Sequence, residues 1–301
     1  MLFRSAIPDL EHPDRVLIGG EDDQAIDALA SVYGHWVSDD RILRTNIWSS
    51  ELSKLTANAF LAQRISSINA IAALCESTGA DVREVARAIG TDSRIGPRFL
   101  QAGPGFGGSC FQKDILNLVY LCRHYGLEEV ASYWENVVGL NTWQQQRIAR
   151  LVVNSLFGTV TGKRLAVLGF AFKADTNDTR ESPAIQICRD LIEEGAELAI
   201  VDPKVSTRQI AQDLGREPRL AGPQPGLSGE GGWLPAPSPV EAAEGDDAVL
   251  ILTEWRAYGS LSWPEIAAVM RRPAWLFDAR AIADAEAARA AGLNVWRVGE
   301  G

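Results

Sequence analysis

Apolar residues recur every three or four positions through the first half of the chain and run together in short unbroken blocks through the second. The first pattern predicts helices and the second predicts strands buried on both faces. Arg15-Val16-Leu17-Ile18-Gly19-Gly20 reads as a strand ending in glycines, followed by a helix from Asp22 to Tyr33 with Ile26, Leu29, Ala30 and Tyr33 at helical spacing. A long helix is expected from Trp48 to Thr78, opened by Ser49-Ser50-Glu51 as its N-terminal cap and closed by Gly79. Leu52, Leu55, Ala59, Phe60, Ala62, Ile65, Ile68, Ala72 and Leu74 surround this helix almost completely. Such a helix must be covered by several neighbours or by a second subunit. Asp81 caps a short helix to Ile89, and helices from Phe111 to His124 and Leu127 to Phe157 complete an all-helical middle.

The pattern changes at Lys163. Arg164 to Gly169, Glu197 to Val201, Ala248 to Leu252 and Trp275 to Asp278 are apolar blocks of strand length, and helical segments alternate with them, the first from Ser182 to Glu194. Alternation of this kind predicts a doubly wound, Rossmann-like parallel sheet, so the fold class is α/β with a helical central part. The chain divides into short α/β material over 1–45, a central helical region over 46–160 and the parallel-sheet region over 161–301. Gly222 to Pro239 is rich in Gly, Pro and Ser and reads as a loop or local disorder. The first strand of the sheet leads into Gly169-Phe170-Ala171-Phe172-Lys173, where a dinucleotide site needs GxGxxG. No GxGxxG follows a strand elsewhere, so a dinucleotide-binding fingerprint is absent from the sequence.

Composition narrows the function. The 301 residues carry 29 Lys and Arg against 39 Asp and Glu, a net charge of −10, which disfavours nonspecific nucleic-acid binding. An anionic ligand would have to be met by a local group of cations. The four cysteines (Cys75, Cys110, Cys122, Cys188) lack framework or metal-ligand spacing, which favours a reducing, cytoplasmic setting and no metal. No apolar run is long enough to span a membrane, and the first residues do not form a signal peptide.

The chemistry concentrates in Gly105-Phe106-Gly107-Gly108-Ser109-Cys110-Phe111-Gln112-Lys113-Asp114-Ile115. Glycines admit close backbone approach and positive φ, and an anionic sulfur is stabilised at a helix N-terminus beside a cation. The stretch suits a nucleophilic thiol; a buried structural cysteine after a glycine turn is the alternative on the residues alone. Lys54 and Asn58 share one face of the long helix, where the lysine either has a partner or reaches out to water. Asp114, four residues after Cys110, either complements the helix dipole or handles a proton or water. Lys173 and Arg280 each follow a strand's carboxyl end, where open α/β sheets bind ligands, and suggest an anion clamp. Arg94 and Arg98 are weaker candidates.

These segments together resemble the UDP-glucose 6-dehydrogenases of the UDP-glucose/GDP-mannose dehydrogenase family, in their animal and plant form. The resemblance rests on Trp48 to Leu55, Asn58 to Asn69, Phe106 to Asp114, Leu168 to Lys173 and Asp178 to Ser182, and covers nearly the whole chain, weakest over 205–245. It implies oxidation of UDP-glucose to UDP-glucuronate by two NAD+, dimerisation through the long helix, and a UDP-binding second sheet. It implies that Cys110 attacks the C6 aldehyde, that Lys54 and Asn58 stabilise the oxyanion, and that Asp114 assists water or proton handling. It assigns Phe99, Leu100, Gln101, Gly105, Phe106, Gly107, Lys173 and Arg280 to substrate, and Arg94 to a neighbouring subunit's substrate. Cys110, Phe111, Gln112, Lys113 and Arg180 would lie near NAD. Set against the family, residues 1–45 correspond to the end of the NAD-binding domain, and the chain is expected to be a fragment unable to transfer hydride alone. A non-catalytic UDP-sugar-binding or oligomerisation module, and a sister nucleotide-sugar dehydrogenase, are the competing readings.

Overall fold

A computed structural model describes residues 6–219 and 230–301. A short helix α1 (Ala6–Glu11) precedes β1 (Val16–Gly19), α2 (Asp23–Tyr33) and β2 (Ile42–Thr45); the two strands pair in parallel, Val16 with Ile42. Ile18, Ile26, Ala30, Val37 and Ile42 form the small core of this unit. Then comes α3 (Ile47–Thr78), capped by Asn46, whose side-chain oxygen accepts the Ser49 N–H at 2.8 Å, rather than by the expected serines. Asparagine is at least as good a cap as serine and stands immediately after β2, so the helix starts as soon as the strand ends. Gly79 closes it with φ +75°, satisfying the Cys75 carbonyl. Next are α4 (Val82–Gly90), α5 (Phe111–His124) and α6 (Glu128–Ser155).

The second half continues through β3 (Arg164–Leu168), α7 (Pro183–Glu193), β4 (Glu197–Val201) and α8 (Thr207–Leu214). After these come β5 (Gly232–Pro235), α9 (Pro239–Ala243), β6 (Ala248–Ile251), α10 (Trp263–Val269), β7 (Trp275–Asp278), α11 (Ala285–Ala290) and β8 (Asn294–Arg297). The six strands form one parallel sheet in the order β5-β4-β3-β6-β7-β8. Strands are added outward on one side from β3 and then on the other from β6, which places the switch point of the sheet at the carboxyl ends of these two. The four expected strands are present, and two edge strands add to them. In the stretch expected to be a loop, 222–229 lie outside the described residues, whereas β5 and the start of α9 are regular. A strand of four residues ending in Pro235 is tolerated because it lies at an edge.

Two layers of buried side chains cover the sheet. One holds Ile187, Leu191, Phe277 and Trp233; the other holds Leu168, Ile251, Trp263 and Leu276. A separate cluster joins α3, α5 and α6 through Ala59, Ala62, Ile115, Val119, Ala131 and Val137. One helix serves both cores: Ala131 and Val137 of α6 lie in the helical cluster, while Ile148, Ala149 and Val152 lie in the sheet's. On α3 the expected all-round burial is only partial. Leu55, Ala59, Ile68 and Ala72 are buried, but Trp48, Phe60 and Leu74 are more than half exposed.

At the amino end of β6, Asp246 is fully buried, paired with Arg164 at 3.1 Å. Burial pushes its carboxyl from 3.8 up to about 7, opposed by Arg164. Because the folded value exceeds the unfolded one, this group's contribution to stability is complete below pH about 4 and is lost as pH rises through about 7. Asp246→Asn should therefore gain stability relative to the parent as pH rises over that window, by about 2–4 kcal/mol at its upper end. Denaturant titrations at several pH values measure this, and a difference independent of pH would refute it.

Candidate active site

Cys110 stands at the N-terminus of α5 with its thiol outside the capping bonds and half-buried, 3.7 Å from the Ser109 hydroxyl. One turn on, Asp114 is buried at 4% exposure. Its Oδ2 accepts from Lys54 Nζ and from Asn58 Nδ2, each at 2.5 Å. Lys54 and Asn58 belong to α3 and are one turn apart, so a single carboxylate oxygen ties the two helices together. The lysine does reach water, with 60% of its side chain exposed, but its ammonium is held by Asp114. A carboxylate this buried needs such donors. The result is a lysine and an amide gathered on a carboxylate one helical turn from a half-buried thiol. That grouping can hold an oxyanion and move a proton.

The segment before Cys110 has no regular structure, yet Gly103, Pro104, Gly105 and Phe106 are buried. Its backbone groups therefore need side-chain partners. Asn69 Oδ1 accepts the Gly103 N–H at 2.8 Å, and Gln144 Nε2 donates to the Gly103 carbonyl at 2.9 Å. Asn141 holds Phe106 on both sides, accepting its N–H at 2.8 Å and donating to its carbonyl at 3.1 Å. Asn69, Asn141 and Gln144 were not singled out from sequence; the available signal was a polar residue on an otherwise apolar helix face. Gly105 has φ +128°, and a Cβ there would meet Asn141 Oδ1 at 2.7 Å. A Cβ on Gly107 would meet the Glu181 carbonyl at 2.3 Å. The glycines thus allow the chain to approach Phe172 and Glu181 of the sheet loops, where close approach to a ligand was the expectation.

The sheet side of the site starts at Gly169. Phe170 is buried, and the Phe170 and Ala171 N–H groups donate to Asp202 Oδ2 at 2.7 and 3.0 Å. The turn after β3 is therefore filled by protein groups and does not fit a dinucleotide pyrophosphate. Lys173 and Arg280 are brought together around Glu254. Arg280 Nη1 pairs with Glu254 Oε2 at 3.0 Å, its Nε donates to Leu252 O at 2.8 Å, and its Nη2 donates to Phe172 O at 3.2 Å. Burial lowers the affinity of both cations for their protons, with Glu254 opposing. Arg280 also lies against Gly103, 3.5 Å from where a Cβ would be, which joins it to the loop.

Phe99 begins the buried loop with φ +62°, Glu181 lies under Gly107 with φ +53°, and Ala281 follows Arg280 with φ +53°. Side chains rarely take this conformation, and such strain gathers at ligand sites. Leu100 is buried and Gln101 is exposed. Phe111 packs edge-on against Phe106 at 5.8 Å between centroids; Gln112 is half-buried and Lys113 exposed. Arg180 is exposed, close enough to Cys110 for charge to be felt, and its guanidinium is pushed up chiefly by its hydrogen bonds to Asp178. Arg94 does not join the group in this chain. It is exposed and paired with Asp92 at 2.6 Å.

Residues 48–143 match the central domain of the UDP-glucose/GDP-mannose dehydrogenase family, and residues 166–285 match the family's UDP binding domain. UDP-glucose 6-dehydrogenase 2 of Oryza sativa subsp. japonica is 53% identical over 309 residues, covering 98% of this chain and 63% of the relative. UDP-glucose 6-dehydrogenase of Gallus gallus is 54% identical over 288 residues, covering 93% and 57%. The solved UDP-glucose dehydrogenase of the hyperthermophilic archaeon Pyrobaculum islandicum, 29% identical, superposes with a TM-score of 0.80 over 98% of this chain and 60% of that one. The chain spans roughly three fifths of the length of these relatives. Matched in both regions and half identical to such relatives over nearly its full length, this chain belongs to the UDP-glucose/GDP-mannose dehydrogenase family.

Proposed function

We propose that the chain carries the thiol and the nucleotide-sugar site of a UDP-glucose 6-dehydrogenase, which converts UDP-glucose, two NAD+ and water to UDP-glucuronate and two NADH. The observation that carries this reading is the convergence of Lys54 and Asn58 on one oxygen of Asp114, a helical turn from Cys110. In it, the C6 alcohol gives up a hydride and a proton to become an aldehyde. The Cys110 sulfur adds to that carbonyl carbon, and Lys54 and Asn58, already aimed at an anionic oxygen, stabilise the oxyanion of the thiohemiacetal. Loss of a second hydride gives a thioester, which water cleaves to the carboxylate with Asp114 managing the proton. NAD+ supplies the hydride acceptor. Cys110, Phe111, Gln112, Lys113 and Arg180 form an edge partly open to solvent that fits the hydride-accepting end of that cofactor. The turn after β3 does not fit its pyrophosphate.

The rest of the site serves the nucleotide sugar. Phe99, Leu100, Gln101, Gly105, Phe106 and Gly107 wrap it, and Lys173 and Arg280 meet its polar groups from the sheet, with Glu254 between them lowering the local positive charge. The division into 1–45, 46–160 and 161–301 is supported by the separate clusters of the small α/β unit and the three-helix layer. Arg94, exposed, is available to a neighbouring subunit's substrate. The uncovered Trp48, Phe60 and Leu74 on α3 support a homo-oligomer built on that helix. No helix among the described residues is long and apolar enough to cross a membrane. The four free cysteines suit the cytoplasm.

Three measurements bear on this reading. Calorimetry should find saturable UDP-glucose binding, weakened about tenfold, or about 1.4 kcal/mol, by Lys173→Ala; no binding heat would sink the assignment. Peptide mapping after brief alkylation should find label first at Cys110 and slowed by UDP-glucose, because Cys75, Cys122 and Cys188 are buried. Equal labelling of Cys110 and Cys188 would count against a reactive thiol. In sedimentation, Phe60→Asp with Leu74→Asp should shift the protein toward monomer, and an unchanged distribution would remove α3 from the interface.

A further inference from the structure

A second set of buried polar groups runs from the last strand of the sheet to the loop ahead of Cys110. Glu76, in the last turn of α3, has a side chain only 11% exposed, and Arg147 of α6 only 16%. Glu76 Oε2 accepts from Arg147 Nη2 and, at 3.1 Å, from the Trp296 indole N–H of β8. Its Oε1 accepts the Gly299 N–H at 2.8 Å. Arg147 Nη1 donates onward to Gln144 Oε1 at 3.3 Å, and Gln144 Nε2 donates to the Gly103 carbonyl.

The order of these contacts has a chemical meaning. A glutamine amide offers an acceptor on one side and donors on the other. With the guanidinium taking Oε1, only Nε2 is left to face Gly103. Turning the amide over would set a donor against a cation and an acceptor against a carbonyl. Arg147 thereby fixes the orientation of Gln144, and Glu76 fixes Arg147. A buried ion pair adds little net stability over apolar side chains of the same size, so its worth here is geometric. The same last strand reaches the other side of the site, where Arg297 Nη2 donates to Ala281 O at 3.0 Å, directly after Arg280.

We propose that Glu76, Arg147 and Gln144 are positioning residues that set the Gly103 carbonyl, and through it the loop 99–108 and Arg280. Nucleotide-sugar binding is then coupled to the seating of β8 and residues 296–299 on α3. This rests on the nucleotide-sugar reading given above, and its test separates the two. Amide hydrogen exchange on the ligand-free chain reads the loop directly. Arg147→Met and Gln144→Glu should each speed exchange of the Gly103 amide at least tenfold. Trp296→Phe, which removes one donor and keeps an aromatic ring, should move it in the same direction by less, and stands in if a harsher variant fails to fold.

Calorimetry with UDP-glucose should give a tenfold weaker Kd for Glu76→Gln and for Gln144→Glu. In the double variant the losses should fall well short of multiplying, because both break one relay. Arg147→Lys, which keeps the charge, should recover part of the loss. Unchanged Gly103 exchange in variants whose Tm falls would leave these residues a purely structural role and overturn the proposal, as would Kd losses that multiply. If the parent chain binds no UDP-glucose, the reading of function fails while the exchange result still decides the relay.

Discussion

A buried stretch of chain without regular structure has to find partners for its own amides and carbonyls, and this constraint organises the molecule around residues 103–108. Helices and strands satisfy their backbones internally; this loop cannot. Its partners come from the middle of α3 (Asn69), from the middle of α6 (Asn141, Gln144), and from the loops of the sheet, where Gly108 donates to the Arg180 carbonyl at 2.8 Å. The long helices, the sheet and the thiol therefore meet at one place because one loop needs all of them. The glycines follow from the same cause. At Gly105 a side chain would collide with Asn141, which holds the loop, and at Gly107 with the Glu181 carbonyl, next to the Arg180 carbonyl that does.

The carboxylate of Asp114 solves a related problem. Left without donors it would be costly in so buried a position. Lys54 and Asn58 remove that cost, and in doing so they are fixed on a carboxylate one helical turn from Cys110. The satisfaction of that buried charge and the joining of α3 to α5 are thus one arrangement. At the sheet the logic is reversed. Asp202, at the carboxyl end of β4, spends its charge on the Phe170 and Ala171 amides and the Trp255 indole, so the turn after β3 is closed. The cations Lys173 and Arg280, beyond that turn, gather instead around Glu254.

Much of this was legible in the residues. The 3.6-residue periodicity of α3, α5 and α6 gave those helices to within a residue or two, and the apolar blocks gave four strands. The edge strands β5 and β8 escaped notice because neither is an unbroken apolar block: β5 ends in Pro235, and β8 begins with Asn294 and ends with Arg297, residues that an edge tolerates. Lys54 and Asn58 were legible as a pair because they are one turn apart. That they share an oxygen with a residue some sixty positions away is a tertiary fact; the family resemblance implied only that the three serve one site. Asn69, Asn141 and Gln144 stood in plain view as polar residues in apolar helices, but nothing local says which loop they serve. Asp202 directly follows the predicted strand Glu197 to Val201, but its role depends on a backbone thirty residues earlier.

The continuity of α6 has a mechanical consequence. Its 28 residues make a rod about 42 Å long. One end is embedded among α3 and α5, and the other is embedded under the sheet. A rod anchored in two cores transmits rotation between them and permits little bending, so the three-helix layer and the parallel sheet turn together as a single lever. The small α/β unit has no such rod: it passes into α3 through the short connection at Thr45 and Asn46 and leans on that helix at Gly19, where a side chain would strike Ser50.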